Sequence, residues 1–221
     1  MIHDTTSGTR QPIPLLFWDV DTQVDFIQPE GKLHVPGSEA IVPNLARLTT
    51  YAHARGIPIL ASADVHTPDH AEISRTPDYR TTFPPHCMRG TPGQRKIPAT
   101  GLDHPLIVDP DPQDPEPLRH RVRAHGGDFL IHKHHFDVFT NPNVLPILEA
   151  LAPDRVVLYG VALDICDRYA IEGLLRHRPE TSLTVVTDAT RAIDAAHGAA
   201  LLGEWRVRGV HLATTVEIVA S

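Results

Sequence analysis

The chain has 221 residues, a formal net charge of −7 at pH 7, 41% hydrophobic residues and 21% charged residues. This length and composition fit one α/β domain, and the negative charge argues against a nucleic-acid partner, which would need a basic face. Two cysteines are too few for a disulfide framework, so we expect a reducing, cytoplasmic setting. Met1–Gln11 is polar and no apolar run reaches membrane-spanning length, so we expect neither a signal peptide nor a membrane partner.

Residues 1–12 are predicted to form a flexible arm and residues 13–221 a single domain. Short apolar runs typical of buried strands occur at residues 15–20, 57–63, 129–132, 155–159, 183–187 and 209–214. Helical periodicity predicts helices between them, one starting at a Ser38 cap and one at an Asn141 cap with Pro142 in its first position. The remaining helices are predicted over about 165–177 and 194–205 and from about residue 215. Residues 64–128 show little regular pattern, and the acidic, proline-rich run 109–117 is predicted to be a surface loop.

Strand and helix alternate along the chain, which predicts a doubly wound, Rossmann-like parallel sheet of about six strands with helices on both faces. Ligands in such sheets bind outside the carboxyl ends of the strands. The sequence contains no glycine-rich phosphate loop and no GxGxxG motif, so we expect no nucleotide cofactor.

Reactive side chains follow four of the predicted strands. Asp21 follows the first, Asp64 the second, Lys133 the third and Cys166 the fourth. Each has an ordinary explanation, because a free cysteine is usually a buried apolar residue and most lysines are surface groups. Together they form a nucleophilic site: the helix N-terminus favours a Cys166 thiolate, Asp21 exchanges the proton, and Lys133 stabilises the charges. Such a thiolate forms a thioester with a carbonyl carbon, while backbone N–H groups stabilise the oxyanion.

Three ordered motifs make the chain resemble the isochorismatase-like cysteine hydrolases, and among these the nicotinamidases. They are the Asp-x-Gln-x-Asp-Phe run at 21–26, Lys133, and the Gly-Val-Ala-x-x-x-Cys run at 160–166. The resemblance implies a triad of Asp21, Lys133 and Cys166. It also implies a cis peptide between Val161 and Ala162, with the N–H groups of Ala162 and Cys166 as the oxyanion hole.

The resemblance also implies a metal site. Nicotinamidases carry Asp-x-His after the second strand and a further histidine in a Pro-x-His-Cys context, which correspond here to Asp64, His66 and His86. Two imidazoles and a carboxylate suit Zn²⁺, and Mn²⁺ or Fe²⁺ are alternatives. Such an ion could orient a pyridine ring through its nitrogen, with Phe26 and Phe83 at the positions of the aromatic residues that flank the ring.

The implied reaction is hydrolysis of a small amide, with nicotinamide to nicotinate plus ammonia preferred, in a homo-oligomer that is a dimer or a tetramer. Three alternatives stay open: another amidase acting on a carbamoyl or ureido compound, a catalytically silent binding relative, and hydrolysis of the isochorismate vinyl ether. The segment after Lys133 departs from the nicotinamidase pattern. We expect His134 and His135 to be surface residues or to contact the site residues from outside the pocket, although they could line the pocket. The role of the proline-rich region 103–127 stays open.

Overall fold

The computed structural model describes residues 13–220, in which one parallel sheet of seven strands forms the centre. The strands are β1 Leu16–Val20, β2 Ile59–Asp64, β3 Leu106–Val108, β4 Phe129–Lys133, β5 Arg155–Val161, β6 Ser182–Arg191 and β7 His211–Ala213. Their order across the sheet is β3-β4-β2-β1-β5-β6-β7, and every neighbouring pair is parallel. The predicted doubly wound sheet is confirmed with seven strands instead of six. The predicted arm, residues 1–12, lies outside the described residues.

Helices cover both faces of the sheet. They are α1 Val24–Ile27, α2 Val42–Ala54, α3 Pro115–Ala124, α4 Val144–Leu151, α5 Cys166–His177, α6 Ala195–Val207 and α7 Thr215–Val219. Alternate residues of β1 enter two separate cores, because successive side chains of a strand point to opposite faces. Trp18 packs with residues of α3 to α6, whereas Phe17 packs with α2. Among residues 13–220, no helix has the length and apolar character needed to cross a membrane.

The irregular region predicted over 64–128 contains a β-strand and an α-helix. β3 pairs Leu106 with Phe129 of β4, and its three residues are too few to show an alternating pattern. α3 begins inside the proline-rich run: the Asp114 side chain accepts a hydrogen bond from Glu116 N, and Pro115 occupies the first helical position. A proline there needs no N–H partner and has the required φ, so it starts the helix. The prediction of a loop over the whole of 109–117 was therefore wrong from Pro115 onward.

Two predicted helix caps were also wrong. Ser38 Oγ donates to the carbonyls of Phe26 and Ile27 at 2.9 and 3.2 Å, so Ser38 fastens α1 to the short 3₁₀ turn that precedes α2. Asn141 lies before α4: its Oδ1 accepts from Asn143 N at 2.9 Å, and its amide donates to the carbonyl of His132 at 2.9 Å. Asn141 therefore anchors the end of β4 to the approach to α4.

The chain reverses its winding direction at β1. Strands β2, β4 and β3 extend the sheet on one side of β1, and β5, β6 and β7 extend it on the other. A crevice forms at the carboxyl ends of the strands at such a point. The central strands β4, β2, β1 and β5 are those that precede the four reactive side chains.

Candidate active site

The strand register brings Lys133, Asp64, Asp21 and Cys166 to one edge of the sheet. Asp64 and Lys133 are direct partners in the pairing of β2 with β4, and Val20 pairs with Ser62 on one side and Gly160 on the other. A Cβ at Gly160 would overlap the backbone of Val20, and Gly160 has φ +134°. Only glycine permits this approach of β5 to β1.

Three side chains predicted to form a triad lie in contact. The Lys133 ammonium is 2.9 Å from Asp21 Oδ2 and 3.6 Å from Cys166 Sγ. Asp21 Oδ1 accepts a hydrogen bond from Ser62 Oγ at 2.7 Å, and Oδ2 makes no well-aligned hydrogen bond with a described residue. Asp21 and Lys133 are fully buried and Cys166 is 7% exposed, so their charges interact in a medium of low dielectric.

The Cys166 thiol is almost fully buried beside two carboxylates and a lysine. Burial raises its pKa well above the usual value; Lys133 opposes the rise, and the carboxylates of Asp21 and Asp64 add to it. Burial and the two neighbouring carboxylates thus act against the thiolate that the helix N-terminus was expected to favour, and the ionisation state of Cys166 stays a prediction. Burial also raises the pKa of Asp21, against the opposing charge of Lys133. This pair suits transfer of the thiol proton to the carboxylate during attack.

Lys133 connects the triad to a second carboxylate. Its ammonium donates to Asp64 Oδ1 at 2.5 Å as well as contacting Asp21. Burial alone would lower the pKa of Lys133, but the charges of Asp21 and Asp64 outweigh it and raise the pKa well above 10.5. The two carboxylates therefore favour the charged form of Lys133.

Asp64, His66 and His86 form a buried group that fits a divalent metal ion. One ligand atom from each lies within 4.8 Å of the others. Nε2 of both imidazoles is buried without a hydrogen-bond partner among the described residues, and each is 3.9 Å from Asp64 Oδ2. His86 Nδ1 donates to the carbonyl of Pro84 at 2.8 Å, which leaves the lone pair on Nε2. The donor set and its unpartnered atoms match a Zn²⁺-type site.

The motif at 21–26 supports this group through residues whose roles the sequence did not reveal. The Gln23 amide binds the Asp64 backbone on both sides, donating to its carbonyl at 2.8 Å and accepting from its N–H at 2.7 Å. Asp25 Oδ2 accepts from Cys87 N at 2.7 Å, which fixes the segment that carries His86. Gln23 and Asp25 therefore both help to position residues of the candidate metal site.

The start of α5 folds back onto the end of β5. The peptide bond between Val161 and Ala162 is cis. The N–H groups of Ile165 and Asp167 both donate to the carbonyl of Ala162, at 3.0 and 3.1 Å. Cys166 is consequently the first residue of α5, next to Ala162 at the floor of the crevice. The use of the Ala162 and Cys166 N–H groups as an oxyanion hole stays a prediction.

A cavity of about 270 Å³ opens above Cys166, with Asp64 and His86 in its wall. Phe26 and Phe83, predicted to flank a substrate ring, both line it, and Phe136 adds a third aromatic wall that the sequence did not single out. Phe83 and Phe136 meet edge to face, with ring centroids 5.2 Å apart. Apolar and aromatic side chains form much of the lining, as is usual for small-molecule pockets.

A tight turn at the mouth of the cavity was missed. Tyr79 and Arg80 line the cavity from a turn in which Asp78 Oδ1 accepts the backbone N–H groups of Arg80, Thr81 and Thr82, each at 2.9 Å. The Pro-Asp pair at 77–78 is a turn signal that could have located it.

Two further predictions concern the histidines after Lys133. His134 and His135 do not line the cavity: His135 is exposed, and the ring of His134 packs against that of His70 with centroids 4.1 Å apart. The preference for surface or supporting positions agrees with this placement. Glu72 was missed altogether; burial and the charge of Asp64 raise its pKa to about 7, and its Oε1 is buried without a partner among the described residues.

A family model of the isochorismatase domain matches residues 15–217, and the chain belongs to that family. Within it, the chain is nicotinamidase-like. The nicotinamidase/pyrazinamidase of Mycobacterium tuberculosis is 31% identical over 202 residues, which cover 87% of this chain and 95% of the relative.

Solved structures share the fold. The pyrazinamidase of Pyrococcus horikoshii, in complex with zinc, superposes with a TM-score of 0.69 at 23% identity, covering 90% of this chain and 98% of that one. The N-carbamoylsarcosine amidase of Thermoplasma acidophilum has a TM-score of 0.68 at 24% identity, covering 92% and 97%. At these identities the similarity establishes the architecture alone.

Proposed function

We propose that this protein hydrolyses the C–N bond of a small amide through a thioester on Cys166, and that nicotinamide is the preferred substrate, yielding nicotinate and ammonia. The observation that carries the proposal is the contact of Lys133 with both Asp21 and Cys166, because Cys166 also lines an aromatic cavity. The relationship to a nicotinamidase/pyrazinamidase at 31% identity supports the choice of a ring amide.

In the first half of the reaction, Asp21 takes the proton from Cys166 Sγ as the sulfur attacks the amide carbon. Electrons of the C=O bond move to oxygen, and the N–H groups of Ala162 and Cys166 stabilise that charge. Asp21 then gives the proton to the amide nitrogen, the C–N bond breaks, and ammonia leaves a thioester. The raised pKa of Asp21 makes it a stronger base than an ordinary carboxylate, as this exchange requires.

In the second half, Asp21 takes a proton from water as the water oxygen attacks the thioester carbon. The C–S bond breaks, the acid is released, and the proton returns to the Cys166 sulfur. Lys133 remains a cation throughout and stabilises whichever of Asp21 or Cys166 carries the negative charge. No net proton or electron is left on the protein.

Asp64, His66 and His86 would hold a divalent ion, with Zn²⁺ the first choice and Mn²⁺ or Fe²⁺ as alternatives. When bound, the ion supplies a Lewis-acidic position that a substrate ring nitrogen can occupy. The chain's own contribution is to place Phe26 and Phe83 beside that ring, which excludes water and directs the amide carbon towards Cys166.

The test measures ammonia release from nicotinamide by the wild type, Cys166→Ala and the matched control Cys87→Ala. Cys87 is the other cysteine; it is fully buried and does not line the cavity. We expect Cys166→Ala to lose at least about 10³-fold in kcat and Cys87→Ala to retain activity. Trapping of an acyl-enzyme on Cys166, detected by mass spectrometry, would support the thioester; turnover by Cys166→Ala at the wild-type rate would overturn the mechanism.

Metal content is measured on protein purified without chelator. We expect a divalent ion in the wild type and its loss in His66→Ala. A wild-type protein without divalent metal, together with an active His66→Ala variant, would remove the nicotinamidase assignment while leaving the cysteine mechanism intact. The predicted dimer or tetramer is tested by light scattering of the same sample.

One observation favours a second candidate substrate class, carbamoyl or ureido compounds that carry a carboxylate. Arg80 is the one lysine or arginine among the described residues that line the cavity, and no described residue forms an ion pair with it. A guanidinium suits bidentate recognition of a carboxylate. Comparing kcat/KM for nicotinamide with that for an N-carbamoyl amino acid decides between the classes, and Arg80→Gln should reduce only the second value.

A further inference from the structure

His66 has a neighbour that the proposed mechanism does not use. His70 follows it by four residues, and the Nδ1 atoms of the two imidazoles are 3.3 Å apart. The rings meet edge to face, with centroids 5.5 Å apart and an interplanar angle of 77°. The contact is made by the nitrogen of His66 that is remote from Asp64, since Nε2 is the atom 3.9 Å from Asp64 Oδ2.

The proton in this contact can be assigned from a third group. The backbone N–H of Thr67 donates to His70 Nδ1 at 3.4 Å, so that nitrogen is an acceptor. The proton between the two rings therefore belongs to His66 Nδ1. Since a neutral imidazole carries one ring proton, His66 Nε2 has a lone pair, and this is the atom that is buried without a hydrogen-bond partner among the described residues.

His70 is itself held in place. The ring of His134 packs on it with centroids 4.1 Å apart. The backbone of His66 is fixed separately, because its N–H donates to the carbonyl of Cys87 at 3.1 Å and its carbonyl accepts from Arg89 N at 2.8 Å. What remains for His70 to control is the rotation and tautomer of the His66 ring.

We propose that His70 is a positioning residue that fixes His66 in the ring orientation and tautomer needed to bind a divalent cation, so that retention of the cation depends on it. The inference rests on the proposed metal role of Asp64, His66 and His86. His70 makes the hydrogen bond to the remote nitrogen that metal-bound histidines ordinarily make to a carboxylate or carbonyl, and loss of such a bond typically costs 10–100-fold in metal affinity. His70 is not one of the three residues whose ligand atoms converge.

The experiment measures the dissociation constants of Zn²⁺ and Co²⁺ by chelator competition for the full chain and three variants. His70→Phe keeps a ring but removes the acceptor, and we expect its affinity to fall about 10–100-fold. His70→Asn supplies an acceptor oxygen near the position of Nδ1, and we expect it to recover most of the loss. His135→Phe, an exposed histidine outside the contact, is the control and should bind as the wild type does.

The absorption spectrum of the Co²⁺ form separates positioning from ligation. We expect the d–d bands of His70→Phe at saturating Co²⁺ to keep the wild-type position and intensity, because the ligands are unchanged. A spectrum showing a lost ligand would overturn the inference, as would wild-type affinity in His70→Phe, or an Asn variant no better than the Phe variant. A wild-type protein that binds neither ion refutes the metal site and this inference together, whereas the amide mechanism is judged separately by Cys166→Ala.

Discussion

Asp167 should make this protein less stable as the pH rises, and Asp167→Asn should reverse that effect. Asp167 follows the cysteine in α5, is fully buried, and has both carboxylate oxygens without a hydrogen-bond partner among the described residues. Burial raises its pKa well above 3.8, and the charges of Asp21, Asp19 and Asp164 add to the rise. We therefore expect the folded protein to keep a proton on Asp167 at pH values where the unfolded chain releases it.

The sign and size follow from linkage. Below about pH 4 the carboxyl is protonated in both states, so it contributes no difference. Above that pH the unfolded chain loses the proton first, and the folded state loses stability by about 1.4 kcal/mol for each pH unit until Asp167 itself ionises in the fold. Asp167→Asn keeps the size of the side chain but cannot ionise, so its stability relative to the wild type should increase by the same amount over that range.

The assay is urea unfolding of metal-free protein at pH 5, 6, 7 and 8 for the wild type, Asp167→Asn and Asp154→Asn. Asp154 is exposed and serves as the matched control. We expect the difference in unfolding free energy between Asp167→Asn and the wild type to widen with pH, and that for Asp154→Asn to stay nearly constant. Parallel pH profiles for the wild type and Asp167→Asn would show that the native carboxyl is ionised, and the reasoning from its burial would be wrong.

Three further predictions concern Asp21 and the glycines of α5 and α6. In the proposed mechanism Asp21 must be ionised to accept the thiol proton, and its pKa is raised, so kcat/KM at saturating metal should decline towards acid at a pH above the usual carboxyl range near 4; a profile flat down to that range would contradict the role of Asp21. A Cβ at Gly173 would overlap the ring of Phe139, so Gly173→Ala should destabilise the protein by about 1–3 kcal/mol in urea unfolding. Gly203 in α6 has no heavy atom within 4 Å of such a Cβ, so Gly203→Ala should raise stability by about 0.5–1 kcal/mol; equal effects at the two glycines would refute the packing argument.

The order of strands and helices could be predicted wherever the apolar pattern was long enough to be periodic. The helix predicted to follow Ser38, for example, is present as α2, and its apolar residues Leu45, Leu48 and Ala52 are buried. β3 was missed because three residues show no periodicity and its pairing with β4 is a long-range property. α3 was missed because prolines were interpreted as loop residues, although a proline after an Asp cap is a normal helix start.

The candidate site could be predicted in part, because residues that follow parallel strands lie together at the carboxyl-end edge of the sheet. Asp21, Lys133 and Cys166 meet there for that reason. The upward shift in the pKa of the thiol could not be predicted, since a helix N-terminus is visible in sequence whereas the extent of burial and the proximity of two carboxylates are not. The role of Phe136 could not be predicted because its contact with Phe83 joins segments distant in sequence. The role of His70 could not be predicted because it depends on which ring nitrogen of His66 faces the site.

Lys133 has a consequence for how variants of this site must be interpreted. Its one ammonium contacts Asp21 at 2.9 Å and Asp64 at 2.5 Å, so the two carboxylates compete for a single positive charge. Removing Asp64 would leave Lys133 wholly to Asp21, which would make Asp21 a weaker base even though the triad is untouched. A substitution of Asp64 would thus lower the activity through Asp21 as well as through the loss of a metal-site residue. Substitutions at Asp21 and Asp64 should be non-additive in a double-mutant cycle. For the same reason, a relative that had lost the metal site would be expected to differ at the triad as well as at the metal-site residues.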